Sequence, residues 1–239
     1  MTAVSSNYRK IDLDEARRVS VELADAWKDD SIPLRQFELA VKKELDTLRL
    51  GELREPYAAL VRCLRRLPVG LNHSGTNLLD AGAASGYYGE VIKLSGFQFN
   101  YNAMDFSPAF RDLALVLYPG IKFIVADASH IPCPDRVYDI VLTGAVMMHC
   151  LEYEKVFSEA VRVSKKYIIL HRTPVLTEQS TAYFIKDAYG IPCVEIHFNE
   201  SELFELFSKY GVSVIWQDDI FRDASGMFGH RNYVLIKND

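Results

Sequence analysis

Several features that mark special classes of protein are missing from this chain of 239 residues. Its four cysteines lie far apart, with no C-x-x-C pair and no histidine at metal-ligand spacing. This argues against a structural zinc site and favours a reducing compartment. No apolar run approaches the roughly 20 residues that span a bilayer, and the first residues lack the apolar core of a secretory signal. We therefore expect a cytoplasmic protein with no membrane partner.

An excess of positive charge is missing as well. The net charge is −5, with 27 Lys and Arg against 32 Asp and Glu. No global positive field is available to hold a polyanion, which argues against a nucleic-acid partner. Hydrophobic residues make up 49% and charged residues 25% of the chain, as in an ordinary globular protein. The length fits one large α/β domain with an appendage as well as two small domains.

Helical periodicity dominates residues 1–70. Between residues 31 and 50, apolar side chains recur every three or four positions, which predicts an amphipathic helix that starts at Ser31 and ends at Gly51. Residues 55–67 repeat the pattern. We predict an N-terminal helical lid over residues 1–70 and a second domain over residues 71–239.

From Asn77 onward, short apolar runs alternate with helical patterns. The first five runs cover residues 77–81, 99–105, 121–127, 138–144 and 166–172. Such alternation is typical of a parallel sheet covered by helices. The last two runs, 212–219 and 231–238, are joined by a short loop, so we expect them to pair antiparallel at one edge of the sheet.

Polar residues follow the ends of these runs, and small residues crowd the first one, D-A-G-A-A-S-G from Asp80 to Gly86. Gly82 and Gly86 permit a tight turn, and Ala84 lets the backbone approach a ligand closely. Asp105 follows about 20 residues later, where a nucleoside cofactor's ribose meets a carboxylate. The carboxyl ends of parallel strands form the ligand-binding edge of an open sheet.

Two cofactor classes and a packing role are all compatible with a glycine-rich turn alone. A nicotinamide site needs G-x-G-x-x-G, but the nearest match, A-S-G-Y-Y-G from Ala84, lacks its first glycine. The carboxylate of Asp80 is unfavourable beside a pyrophosphate and favourable beside a cationic ligand.

These motifs resemble those of the class I S-adenosylmethionine-dependent methyltransferases, collinearly from about Asn77 to Asp239. The family's first motif is an acidic residue followed by x-G-x-G-x-G, and here Ala84 replaces the middle glycine. The family's Pro-Gly-Gly turn before the fifth strand is replaced by residues 164–166. The resemblance implies a Rossmann-like, doubly wound α/β sheet of seven strands in the order 3-2-1-4-5-7-6, the last antiparallel, under an N-terminal helical cap.

The resemblance also implies S-adenosylmethionine as cofactor, S-adenosylhomocysteine as product and no metal. Asp105 would bind the ribose, Asp127 and Ala128 would border the adenine, and the segment from Thr143 to Val146 would line the methionine end. The full set of implied cofactor residues is Asp80, Gly82, Ala84, Gly86, Tyr87, Asp105, Phe106, Asp127, Ala128, Thr143 and Gly144. Tyr88 is expected in the core. The overall shape further resembles methyltransferases that modify sugars or cell-surface polysaccharides.

Two histidines follow strands at the ligand edge and are candidate general bases, because an unperturbed imidazole titrates near neutrality. They are His149 and His171, and each is also compatible with a packing role. Residues 173–198 are longer than a normal connection, and such segments often carry function. The candidate substrate residues in and beside this insertion are Arg172, Tyr183, Tyr189, Glu195 and His197. We expect the remaining histidines, His73, His130 and His230, at the surface or in loops.

We therefore predict methyl transfer to a small-molecule acceptor, in particular to a hydroxyl oxygen, by in-line displacement. The alternative is a non-catalytic domain of the same fold that serves as a ligand-binding or assembly partner. The acids at the strand ends argue against it, because such a domain has no need of carboxylates there. The sequence leaves open the acceptor and the oligomeric state, a homodimer included.

Overall fold

The computed structural model describes residues 5–23 and 25–238. Within these ranges, the strands are β1 (Ser5–Ile11), β2 (Asn77–Ala81), β3 (Asn100–Asp105), β4 (Lys122–Val125), β5 (Tyr138–Gly144), β6 (Ser164–Leu176), β7 (Ala182–Ala188), β8 (Ile191–Asn199), β9 (Val212–Arg222) and β10 (Phe228–Lys237). The α-helices are α1 (Leu13–Glu22), α2 (Ile32–Gln36), α3 (Lys42–Arg49), α4 (Tyr57–Leu64), α5 (Tyr87–Leu94), α6 (Pro108–Leu117), α7 (Tyr153–Val163) and α8 (Glu200–Lys209).

Seven of the strands form the predicted sheet. Their order is β4-β3-β2-β5-β6-β10-β9, and β2 to β6 run parallel. Strand β10 lies antiparallel to both β6 and β9. Numbered along the chain, this is the order 3-2-1-4-5-7-6, so the predicted topology is confirmed. The carboxyl ends of β2, β3, β5 and β6 therefore meet at one edge of the sheet.

The sheet is buried on both faces. Along β2 the side chains of Leu78 and Leu79 enter different apolar clusters, as expected of neighbouring residues in a strand. One cluster lies under α7 and α8 and includes Phe157. The other lies under α3, α4 and α5 and includes Leu60. The N-terminal helices thus cover the face from which α5 leaves the glycine turn.

Two segments differ from the sequence-based expectation. Residues 5–11 form a strand rather than a helix, and residues 173–198 contain a β-hairpin rather than a loop. Strand β6 continues past the end of β5, and its last residues pair with β8. Strand β7 pairs with β8 and with β1. Charged side chains interrupt the apolar pattern of these strands, which conceals them in the sequence. The domain boundary at residue 70 stays a prediction, and β1 belongs to the same sheet as the second domain.

The helical stripe predicted after Ser31 is present but irregular. Helix α2, a π-helical turn at Phe37–Val41 and α3 follow one another without a break. Leu45 and Leu48 carry the stripe into the cluster beneath α4. Gly51 ends the helix with a φ of +91°, in the left-handed region that favours glycine.

Two further observations concern the described residues alone. None of their helices is both long and apolar enough to cross a bilayer. All four cysteines are free thiols.

Phe157, a residue of α7 that packs against the sheet, gives a test of the fold. Its side chain is fully buried in the cluster with Phe207. Replacing Phe157 by Ala should lower the free energy of unfolding by about 3–5 kcal/mol, through lost burial and the cavity left behind. Val116→Ala, at an exposed site on α6, should change it by less than about 0.5 kcal/mol. Urea unfolding measures both, and equal effects would contradict the assigned core.

Candidate active site

The turn after β2 brings the backbone into an unusual conformation at three positions. The φ angles are +82° at Gly82, +49° at Ala84 and +75° at Gly86. The backbone N–H groups of Gly82 and Ala83 both donate to the Met104 carbonyl oxygen, which ties the turn to β3. A Cβ atom at Gly82 would lie 2.5 Å from the Cβ of Val146, so this position has no room for a side chain. The turn is therefore held tightly between β3 and the segment after β5.

Asp80 lies at the carboxyl end of β2 and is fully buried. Its Oδ2 atom accepts a hydrogen bond of 2.6 Å from the Tyr101 hydroxyl, and its Oδ1 atom is buried without a partner. Burial raises the pKa of Asp80 to about 7; the Tyr101 hydrogen bond opposes this shift, and the charge of Asp105 adds to it. A buried carboxylate oxygen without a partner is costly unless a ligand satisfies it.

Asp105 ends β3 and supports the turn directly. Its two carboxylate oxygens accept hydrogen bonds from the backbone N–H groups of Ala84 (2.9 Å) and Ser107 (3.1 Å). Burial raises the pKa of Asp105 to about 6, although these hydrogen bonds lower it. Each oxygen still has a second lone pair for a ligand hydroxyl.

The residues expected to border the adenine include ones that are more exposed than Asp80 and Asp105. Asp127 is exposed, and its Oδ1 atom accepts a hydrogen bond from the Ser129 N–H. Ala128 is buried, whereas Phe106 is partly exposed beside Asp105. These residues follow β3 and β4, which are neighbours in the sheet.

Asn232, on β10, forms hydrogen bonds with two consecutive residues of β6. Its Oδ1 atom accepts a hydrogen bond from the backbone N–H of Arg172 at 3.0 Å and lies 2.8 Å from Nδ1 of His171. Because the Arg172 N–H donates to this atom, the atom is an oxygen, and Nδ1 of His171 must donate to it as well. The Nε2 atom of His171 is thus unprotonated, and it is buried without a partner.

Both candidate bases are neutral near pH 7. Burial, followed by the charge of Arg172, lowers the pKa of His171 to about 3. Burial, followed by the charge of Lys186, lowers the pKa of His149 to about 4. Nδ1 of His149 donates to the Val194 carbonyl oxygen at 2.8 Å, so its Nε2 atom is also unprotonated.

A group of tyrosines connects Asp80 with the end of β6. The ring of Tyr88 lies 5.5 Å from that of His171, and a Cβ atom at Gly144 would lie 2.5 Å from Cε2 of Tyr88. The buried hydroxyl of Tyr57 has no hydrogen-bond partner, and the hydroxyl of Tyr88 lies near Arg172. Tyr88 belongs to the core cluster as expected, and Tyr87 is less buried. Thr143 is buried at the end of β5, beside β6.

The hairpin formed by β7 and β8 places only some of its predicted substrate residues near Arg172. Lys186, Glu195 and His197 are buried together; Lys186 forms an ion pair with Glu195, and Nε2 of His197 lies 2.8 Å from Oε1 of Glu195. The ring of His197 stacks on Phe228 at 4.5 Å, so it is part of a packed cluster rather than a free contact residue. Tyr189, at the hairpin turn, lies close to Arg172.

Tyr183 stays a predicted substrate residue. It alternates with the buried polar residues along the hairpin and packs against α1 with Ile11 and Val194. The expectation for His230 needs correction, because this residue is partly buried and lies in a strand rather than in a loop. It lies on β10 close to Arg172, and burial lowers its pKa to about 4.

Residues 26–36, here termed the capping segment, cover the glycine turn. Ile32 is fully buried and forms an apolar cluster with Ala84 and Phe110. Trp27 contacts His149, with ring centroids 5.7 Å apart, and Arg35 donates to the Tyr189 carbonyl oxygen at 2.8 Å. The capping segment therefore rests on the turn after β2 and on the hairpin turn.

Sequence reasoning missed several of these residues. Asn232 could have been noticed as a polar residue inside an apolar run, but nothing in the sequence pairs it with β6. Lys186 on β7 was missed for the same reason, because nothing in the sequence pairs it with its partner on the neighbouring strand. Tyr57 and Ile32 follow ordinary helical periodicity, which carries no sign of their place at the site.

Residues 79–169 match the family described as a methyltransferase domain. The match starts in β2, includes the glycine turn and both acids, and ends in β6. Over these residues the chain is similar to a methyltransferase domain, in agreement with the resemblance of its sequence motifs. A malonyl-[acyl-carrier protein] O-methyltransferase from Serratia marcescens is 29% identical over 101 residues, which cover 42% of this chain and 39% of the relative. The same-named protein from Yersinia pestis is 28% identical and is matched over 37% of its length. The chain thus matches less than two fifths of these curated relatives.

Solved methyltransferase structures share the fold. A 1,6-didemethyltoxoflavin-N1-methyltransferase from Burkholderia thailandensis, with bound S-adenosylhomocysteine, has a TM-score of 0.66 at 15% identity, over 100% of this chain and 98% of its own. The magnesium protoporphyrin IX methyltransferase of Synechocystis, with bound S-adenosylmethionine, has a TM-score of 0.54 at 15% identity, over 88% and 98% of the two chains.

S-adenosylmethionine is the cofactor of this domain class, and the turn in this chain fits it. The unpartnered Oδ1 atom of Asp80 offers a buried acceptor to a cationic ligand, and the left-handed positions Gly82 and Gly86 carry no side chains of their own. The buried hydroxyls of Ser85 and Ser107 also have no partner. Because Ile32 packs on Ala84, the capping segment must shift to admit a nucleoside.

The raised pKa of Asp80 predicts a pH dependence of cofactor binding by the methyltransferase domain. A cationic ligand binds the ionised carboxylate, so below about pH 7 it must first displace a proton. Affinity for S-adenosylmethionine should then fall by about tenfold for each pH unit below 7 and level off above it. Calorimetry between pH 5.5 and 7.5 measures this.

Asp80→Asn is the matched control, because it keeps the shape and removes the titration. It should bind the cofactor more weakly at pH 7.5 and lose the transition near pH 7. An unchanged transition in Asp80→Asn would show that another group titrates.

Proposed function

We propose that the protein transfers a methyl group from S-adenosylmethionine to an oxygen atom of a small-molecule acceptor, in particular a hydroxyl group, by in-line displacement. When bound, the cofactor supplies an electrophilic methyl group on a sulfonium. The reaction forms an O–C bond and breaks the S–C bond, whose electron pair stays on sulfur. The hydroxyl proton goes to Nε2 of His171.

One observation carries this proposal: the candidate site has an acidic end and a basic end. The acids Asp80 and Asp105 lie at the glycine turn. Arg172 lies within β6, next to His171, which pairs with the last residue of β5, and the buried tyrosines lie between the two ends. A sulfonium and an ammonium suit the acidic end. An acceptor with a polar group suits the other end, where its oxygen would lie beside His171. Such an arrangement aligns nucleophile and methyl group, the main task in methyl transfer.

Asn232 supports the proposed role of His171. It fixes the tautomer in which Nδ1 carries the proton, so Nε2 can accept one. The curated relatives are O-methyltransferases by name, which agrees with an oxygen acceptor. The solved N1-methyltransferase shows that the same fold also accommodates nitrogen acceptors in other proteins.

The proposal also covers the cellular compartment and the partners of the protein. We place it in the cytoplasm, with a small molecule as its substrate and with neither nucleic acid nor membrane as a partner. The oligomeric state stays open. A non-catalytic ligand-binding domain is disfavoured, because it has no use for an unprotonated, unpartnered Nε2 atom beside the cofactor turn.

Cofactor binding is tested first. The protein should bind S-adenosylmethionine and not NADH in calorimetry, and Asp105→Ala should weaken binding at least about tenfold, because it removes a charged hydrogen-bond partner and loosens the turn at Ala84. Asp112→Ala, at an exposed site on α6, should leave binding unchanged. A protein that fails to bind S-adenosylmethionine contradicts the proposal.

The role of His171 is tested by turnover. A screen of small hydroxylated compounds for release of S-adenosylhomocysteine identifies a working acceptor. His171→Ala should then lower kcat by about 10²–10⁴. His149→Ala should lower it by less than about tenfold, because its ring is fixed by Val194 and Trp27. Full activity of His171→Ala would rule out the general base.

A further inference from the structure

Arg172 is a cation without an acidic partner at the inner end of the cleft. Its guanidinium is close enough to interact with the phenols of Tyr87, Tyr88 and Tyr189, and no Asp or Glu in the described part of the chain pairs with it. The pair of Lys186 with Glu195 contributes no net charge nearby. The positive charge of Arg172 is thus uncompensated in a largely enclosed place, which is costly unless a ligand anion balances it.

The backbone at Arg172 is in a strained conformation. Its φ is +62°, in the left-handed region that residues other than glycine rarely adopt. Asn232, which is fully buried, holds this conformation through the Arg172 N–H. Strain of this kind is found at functional sites, where the surrounding structure maintains it.

The consequence of this strain is that Arg172 and His171 line the same cavity. Consecutive residues of a regular strand point to opposite faces, and the left-handed residue breaks the alternation. A cavity of about 10 Å³, at the level where β5 ends, is lined by Thr143, Ala145, Met147, Met148, His171, Arg172 and Thr173. A cationic residue and a residue with an unprotonated imidazole nitrogen therefore border the same small space.

We propose that the acceptor is a hydroxycarboxylate, whose carboxylate binds the guanidinium of Arg172 while its hydroxyl faces Nε2 of His171. This inference rests on the proposed function and names its substrate class. The planar guanidinium matches a carboxylate through two parallel hydrogen bonds.

Carboxylate binding has a chemical consequence for His171. After burial, the charge of Arg172 is the next cause that lowers the pKa of His171. A bound carboxylate neutralises that charge, so Nε2 becomes a better proton acceptor when the acceptor is in place. Substrate binding and activation of the base are then linked through Arg172.

The experiment compares matched acids and amides on the protein saturated with S-adenosylhomocysteine. Calorimetry with benzoate and benzamide measures binding without turnover, and 4-hydroxybenzoate with 4-hydroxybenzamide adds the hydroxyl. The acids should bind at least about tenfold more tightly than the amides. Arg172→Gln should abolish this preference, and Arg172→Lys, which keeps the charge but not the planar fork, should retain part of it. Arg54→Gln, an exposed surface variant, should behave as the unmodified protein.

Each outcome decides the inference. Equal binding of acid and amide overturns it, as does an acid preference that survives Arg172→Gln while S-adenosylhomocysteine still binds. Tighter binding of phenyl phosphate than of benzoate overturns the carboxylate assignment in favour of a phosphate. If S-adenosylhomocysteine does not bind at all, the proposed function fails, and the acid and amide comparison on the protein alone still decides the role of Arg172. If Arg172→Gln does not fold, Arg172→Lys carries the comparison.

Discussion

Asp80 is a fully buried carboxyl group with one unpaired oxygen, and the cofactor end of the cleft is built around it. The short turn that follows places backbone rather than side chains beside this oxygen, and Asp105 holds the turn in place through the Ala84 N–H. Such a group is costly in an isolated protein and favourable beside a cation. The raised pKa of Asp80 expresses the same cost, because burial makes the carboxyl hold its proton up to about pH 7.

The opposite end of the cleft depends on a second buried polar group. Asn232 comes from β10, the strand inserted antiparallel beside β6, and it fixes both the tautomer of His171 and the backbone of Arg172. The antiparallel strand of the fold thus contributes to the chemistry as well as to the sheet. Its insertion next to β6 brings Asn232 into hydrogen-bond contact with residues 60 and 61 positions earlier in the chain.

The sequence was sufficient for the parallel sheet, because apolar runs and helical periodicity alternate strongly from Asn77 to the closing helix. The cofactor turn was also predictable, since a local motif carries it. The hairpin of β7 and β8, and β1 beside it, were not predictable from the sequence. The buried face of the hairpin carries Lys186, Glu195 and His197, whose burial becomes possible only because they pair with one another. The same reason hides Asn232, whose partners lie on another strand. His230 was misplaced because side-chain direction depends on strand register.

The capping segment connects these two ends, since it rests on Ala84 through Ile32 and on the hairpin through Arg35. The central claim is that the buried oxygen of Asp80 receives the cationic end of the cofactor beneath this segment. A crystal structure with bound S-adenosylhomocysteine tests it most directly. The account predicts the amino group of the ligand within hydrogen-bond distance of Asp80 and Ile32 displaced from Ala84. A ligand bound elsewhere, with Oδ1 of Asp80 still unpartnered, would contradict it.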